Sequence, residues 1–136
     1  MRANEPDNDL VVYAVRIAPA ASAQTASERQ RQITVFGADL AEAWRQGLLS
    51  SIASLATLPL RCQVAPEDPL YQEVYPGPSL RVLPYQRGRR GRGAVWRILF
   101  TAYPATANDP PMVRVEAILP GAQAPLTEWP REDENA

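Results

Sequence analysis

The chain has 136 residues, 46% of them hydrophobic, and a formal net charge of -1, which is enough for one domain with one core and too little for two ordinary domains. It holds no histidine, one cysteine and no lysine, since all fourteen basic residues are arginine. That inventory argues against zinc sites, serine-histidine triads, internal disulfides, Schiff-base chemistry and Gly-Lys phosphate loops, so neither metal nor cofactor is expected.

Residues 1 to 9 carry Glu5, Asp7 and Asp9 against Arg2 and form an acidic extension without the basic n-region of a signal peptide. No apolar run reaches the roughly 18 to 20 residues that span a bilayer, so a soluble cytoplasmic protein with no membrane partner is expected. One domain is expected over residues 10 to 123. Residues 10 to 18, LVVYAVRIA, are rich in β-branched and aromatic side chains and stop at Pro19. They read as a strand buried on both faces apart from Arg16.

Ala20 to Phe36 has helix composition with a thin apolar stripe, and Gly37 supplies a C-cap. Asp39 and Glu42 have capping-box spacing. Leu40, Trp44, Leu48, Ile52 and Leu55 follow at intervals of four, four, four and three, placing them on one face of a second helix that runs to about Thr57. The two helices form a hairpin whose apolar face needs a sheet to cover. Five prolines between Leu58 and Pro78 predict a long loop.

Strands are predicted near Leu80 to Tyr85 and Ala94 to Tyr103, joined by a turn rich in glycine and arginine. Pro84 puts the first of them at a sheet edge or bulge. A last strand is predicted at Met112 to Leu119, with Val113, Val115, Ala117 and Leu119 on one face and Arg114 and Glu116 on the other. Residues 124 to 136, with Glu128, Glu132, Asp133 and Glu134 against Arg131, read as an acidic, disordered tail. The expected fold is α+β in the order β-α-α-β-β-β, a helical hairpin on a small, mainly antiparallel sheet.

Between Val74 and Asn108 there are six arginines (Arg81, Arg87, Arg89, Arg90, Arg92, Arg97) and no acid, a local charge of +6. A basic hairpin between acidic ends reads as a polyanion site, a site for an acidic protein, or a solvated turn. Cys62 has no histidine to activate it and reads as structural.

Several strings resemble the RelE/ParE superfamily of toxins from bacterial type II toxin-antitoxin pairs. They are Tyr13-Ala-Val-Arg-Ile-Ala-Pro19; Ala43-Trp44-Arg45-Gln46-Gly47-Leu48 with Ile52-Ala-Ser-Leu55 and Leu58-Pro59; Arg61-Cys62 with Ala65-Pro66-Glu67; and Leu80-Arg81-Val-Leu-Pro-Tyr85 with Trp96-Arg97-Ile-Leu-Phe100. The resemblance spans about residues 10 to 126. It departs at the end of the last strand, where relatives carry arginine-histidine-glycine-alanine-arginine and this chain has Leu119-Pro120-Gly121-Ala122-Gln123.

The resemblance implies an acidic antitoxin partner, and the leading expectation is a ribosome-dependent mRNA endoribonuclease that engages ribosome and mRNA, with gyrase inhibition as the alternative. RelE-like members cleave mRNA in the ribosomal A site, whereas ParE-like members inhibit DNA gyrase without being enzymes. A degenerate toxin that only binds its antitoxin is the third reading. Metal-free RNA cleavage needs a base, an acid and fixed positive charge on the phosphate. Family position makes Arg81 and Arg97 the candidate phosphate ligands, and Tyr85 the candidate for base stacking or proton transfer. Glu116 and Glu73 are the other candidates for proton transfer. Arg87, Arg89, Arg90 and Arg92 are candidates for RNA or partner contact. The bland alternative has Tyr85 filling the core edge and Arg97 paired with Glu116.

Overall fold

The computed structural model describes residues 11–86, 95–121 and 125–130. In chain order the elements are β1 (Ala14–Ile17), α1 (Pro19–Phe36), α2 (Ala38–Ala53), β2 (Gln63–Val64), α3 (Asp68–Val74), β3 (Leu80–Gln86), β4 (Val95–Tyr103) and β5 (Met112–Pro120). They build a five-stranded sheet ordered β1-β5-β4-β3-β2, in which β1 runs parallel to β5 and the other neighbours are antiparallel. The α+β class and the helical hairpin on one sheet face match the sequence expectation. The arginine turn and both chain ends beyond these limits lie outside the described residues.

The helical hairpin turns on Gly37. Pro19 enters α1 in its first turn, where a missing N–H costs nothing. Gly37, at φ 97°, ends that helix by donating its N–H to the Ile33 carbonyl at 3.0 Å and serves at once as N-cap of α2. This left-handed φ favours glycine. Because α2 starts at Ala38, Asp39 falls inside its first turn and makes no side-chain cap. The expected capping box is therefore absent, although an acid in that turn still suits the helix dipole.

The apolar stripe of α2 keeps the expected Trp44, Leu48 and Ile52 and departs from the expectation at its start. Ala41, Trp44, Leu48 and Ile52 are buried, with Leu55 behind them in a 3-10 turn, while Leu40 at the hairpin tip is 46% exposed. The stripe packs on Tyr85, Trp96, Ile98, Phe100, Val113, Val115 and Ile118 to form the larger core. There Trp44 meets Trp96 edge-on at 5.3 Å between ring centres, the geometry that the ring quadrupoles favour.

The stretch predicted as a strand buried on both faces is not so: Val12, ahead of β1, is 63% exposed and Ile17, in β1, is 37% exposed, because this short strand forms the edge of the sheet. The predicted long loop contains β2, which pairs only with Val82 and Arg81 of β3, and the helix α3. Pro69 does not forbid α3, since it sits in the first turn. Asp68 ties α3 to the sheet by accepting from Leu80 N at 2.8 Å. Pro84 lies beyond the reach of β2, at the unpaired outer edge of β3, as its missing donor requires.

The facing of β5 also differs from simple alternation. Phe100 sits opposite Val115 and Leu99 opposite Ala117, so Glu116 is an extra residue in a bulge. Val113, Val115 and Ile118 therefore face the helices, whereas Ala117 and Leu119 join a second cluster on the opposite face with Leu80, Leu99, Tyr71 and Trp129. Trp129 comes from the predicted disordered tail, yet it is 8% exposed. Residues 125–130 run without regular secondary structure across the sheet face that the α1/α2 hairpin leaves open.

Candidate functional site

Three residues singled out from the sequence fall on the β3/β4 pair, and the sheet separates them. Tyr85 stands opposite Trp96 and faces the helices, and Arg81, opposite Phe100, shares that face. Arg97 stands opposite Pro84 and faces the other way, toward α3. A strand places successive side chains on opposite faces, so Arg81 and Arg97 cannot grip one phosphate through the body of the sheet.

Their partners are already chosen. Arg81 Nη1 donates to the Cys62 carbonyl at 2.7 Å, and the Tyr85 hydroxyl donates to the Trp44 carbonyl at 3.0 Å with the residue only 7% exposed. The Tyr85 ring lies so close to α2 that position 47 favours glycine, since an added Cβ there would overlap the tyrosine oxygen unless the ring moved. Arg97 Nη1 lies 3.0 and 2.9 Å from the two oxygens of Glu67, a residue with no solvent exposure. Arg97 thus pairs with a carboxylate, but from the start of α3 rather than with Glu116. Arg87, Arg89, Arg90 and Arg92 lie outside the described residues.

The α3 side of the sheet gathers most of the buried polar chemistry. Glu116, 7% exposed, accepts from Tyr71 Oη at 3.1 Å, from Thr101 Oγ1 at 3.0 Å and from Arg114 Nη1 at 2.6 Å. Burial and the neighbouring Glu116 carboxylate and Tyr103 push the Tyr71 phenol far above its ordinary pKa. Tyr71 therefore stays protonated and donates. Glu73 is exposed and takes no part.

Segment 125–130 straps this face. Trp129 meets the Tyr71 ring edge-on at 5.1 Å, Leu126 packs into the same cluster, and Leu126 N donates to Glu67 Oε2 at 3.4 Å. Beside the strap, a cleft of about 540 Å³ opens between α1 and the last residues of β5, lined by Gln24, Ser27, Trp96, Ile118, Leu126 and Trp129. Gln24 Oε1 accepts from Ile118 N at 2.7 Å, so a helix side chain satisfies the strand edge where β1 has ended.

Sequence reasoning missed Tyr71, Glu67 and Trp129 as members of one face. Glu67 had a signal in the Ala65-Pro66-Glu67 string, but nothing local links it to Arg97. Trp129, an aromatic in an acidic proline-rich stretch, was the available sign that the tail packs. Cys62 is buried, which raises its thiol pKa, with Arg61 and Arg81 partly offsetting the rise. Among the described residues no helix is long and apolar enough to cross a membrane, and no group of three metal-binding side chains comes together.

No family model and no curated protein matches this sequence. Among solved structures, the fold is similar to a chain from a chromosomal ParDE TA system from P. aeruginosa. The TM-score is 0.56 and the identity 12%, with 80% of this chain and 96% of that chain covered. The two chains share an α+β fold.

Proposed function

We propose that this chain is the toxin of a type II toxin-antitoxin pair, held in check by a small acidic antitoxin in the cytoplasm, and that it inhibits DNA gyrase by contact rather than by catalysis. The fold similarity to a ParDE chain supports the toxin role. The placement of Arg81 and Tyr85 on one sheet face and Arg97 on the other carries the choice of mechanism. General acid-base cleavage needs its groups within hydrogen-bond reach of one phosphodiester. Here Tyr85 is spent on Trp44 and Arg97 on a buried carboxylate. The helical hairpin, with Val35, Phe36 and Leu40 about half exposed at its tip, offers a contact surface that needs no chemistry.

The second reading is ribosome-dependent mRNA cleavage. It is favoured by the arginine-rich sequence in which Arg87, Arg89, Arg90 and Arg92 supply positive charge suited to RNA phosphates. Two assays on the purified protein separate the readings. Loss of gyrase supercoiling with no new cuts in ribosome-engaged mRNA is the expected result. Cuts in the A-site codon that require ribosomes would replace the proposal with the RelE-like activity. Inactivity in both assays, with tight binding to the product of an adjacent gene for a small acidic protein, would identify a toxin that retains only its partner.

A further inference from the structure

The strap over the α3 side of the sheet has the character of a bound peptide. It contains no helix or strand, and its anchors are Leu126 and Trp129, three residues apart. Its described hydrogen bond to the domain, Leu126 N to Glu67 Oε2, is long at 3.4 Å. The surface beneath it does not consist of apolar groups alone. It holds the ion pair of Arg97 with the fully buried Glu67, and Arg97 Nη2 is buried with no hydrogen-bond partner among the described residues. A permanent core seldom leaves an arginine donor unmet, because the desolvation is then uncompensated. An occupant with an oxygen acceptor at that point would bind better than the strap does.

We propose that the α3 side of the sheet is a peptide-binding groove, filled in the isolated chain by its own Leu126–Trp129 strap and filled in the complex by a segment of the partner protein. That segment would carry an aliphatic and an aromatic anchor at the same spacing and a carboxylate or carbonyl oxygen for Arg97. The identity of this partner as the acidic antitoxin rests on the function proposed above. The strap is then a competitor built into the chain, which sets a threshold that a weaker ligand cannot pass.

Exchange follows simple arithmetic. If the groove is open only a fraction of the time, the apparent dissociation constant of a free ligand is the intrinsic one divided by that fraction. A strap that closes the groove nine-tenths of the time or more therefore weakens an outside ligand about tenfold or more. Removing the strap's anchor recovers that factor.

The test uses full-length protein and, as probe, a fluorescent peptide of residues 124 to 136 followed by anisotropy. Wild type should bind weakly, and Trp129→Ala and Leu126→Ala/Trp129→Ala should bind at least about tenfold more tightly. A peptide carrying Trp129→Ala should not bind any of them. Trp129→Phe in the protein should fall between wild type and Trp129→Ala. Equal affinity of wild type and Trp129→Ala, or no binding to variants that circular dichroism shows to be folded, would overturn the proposal. So would loss of the folded state on Trp129→Ala, because an exchangeable strap must leave the domain standing. Since the probe is this chain's own segment, failure here leaves the toxin reading intact. Failure of the toxin reading would likewise leave a positive exchange result standing.

Discussion

Gly47 sits inside α2, where helix propensity alone says that alanine should stabilise the protein by about 0.8 to 1 kcal/mol. The tertiary structure says the opposite. An alanine Cβ would overlap Tyr85 Oη and lie 3.1 Å from Cζ and 3.3 Å from Cε1 of the same ring. The ring cannot swing away without cost, because Tyr85 is buried in the larger core and its hydroxyl is bonded to the Trp44 carbonyl at 3.0 Å. Overpacking costs about 1 to 3 kcal/mol, and loss of the hydrogen bond about 0.5 to 1.5 kcal/mol. Set against a propensity gain of about 1 kcal/mol, Gly47→Ala should be destabilising by about 1 to 3 kcal/mol. Tyr85→Phe removes the oxygen that would clash and should by itself cost about 1 kcal/mol. In the double variant the alanine then fits with a shift of a few tenths of an ångström, so it should be no less stable than Tyr85→Phe to within about 1 kcal/mol. The coupling energy from the cycle should be about 1 to 3 kcal/mol in favour of the pair. Urea unfolding of the four proteins followed by circular dichroism measures all of these, with unchanged slopes as the check that only stability has moved. A Gly47→Ala protein more stable than wild type would refute the reasoning, and with it the assignment of Tyr85 to the core.

Arg97→Ala should cost about 3 to 5 kcal/mol, because it strands the fully buried Glu67 carboxylate. Arg97→Met/Glu67→Gln should recover a large part of that loss in urea unfolding, and equal losses for the two proteins would sink this account. Activity lost with Arg97→Ala is therefore interpretable only beside that melt. Tyr71 has its native pKa raised, so above about pH 10 the unfolded chain releases the phenol proton while the native chain keeps it. Stability should fall as pH rises past that point, and less so in Tyr71→Phe; parallel alkaline melts of the two proteins would contradict it. Cys62, 9% exposed with a raised pKa, should react with a disulfide reagent at pH 8 at least about tenfold more slowly in the native state than in urea. Equal rates would show that the thiol is accessible.

Much of the backbone plan was legible because it rests on local rules. Gly37 between two helical compositions, Pro84 on the stretch of β3 that β2 does not reach and the alternation that opens β5 each express a constraint of one residue on its own backbone. The helix stripe was legible except at its start. Leu40 leaves the stripe because three successive intervals of four carry it about 120° round the helix from Ile52, whereas Ala41 lies within about 20° of it. α3 was hidden by prolines that a first turn tolerates.

The site was less legible, and the reason is physical. Sequence placed Arg81, Tyr85 and Arg97 in one hairpin but could not give the face of each, which depends on the register Arg81 to Phe100 and Pro84 to Arg97. A register shift of one residue would have reversed every facing. The bulge at Glu116 turned that carboxylate toward Tyr71 and Thr101, residues 45 and 15 positions away. Glu67 found Arg97 across 30 positions, and Trp129 found Tyr71 only because the strap crosses the sheet. Composition, charge segregation and the helix-hairpin-sheet order were thus determined by the sequence alone, since each is local or additive. Tertiary structure decided which charges are buried together and which surface the tail covers, since burial and pairing belong to side chains that the chain itself keeps far apart.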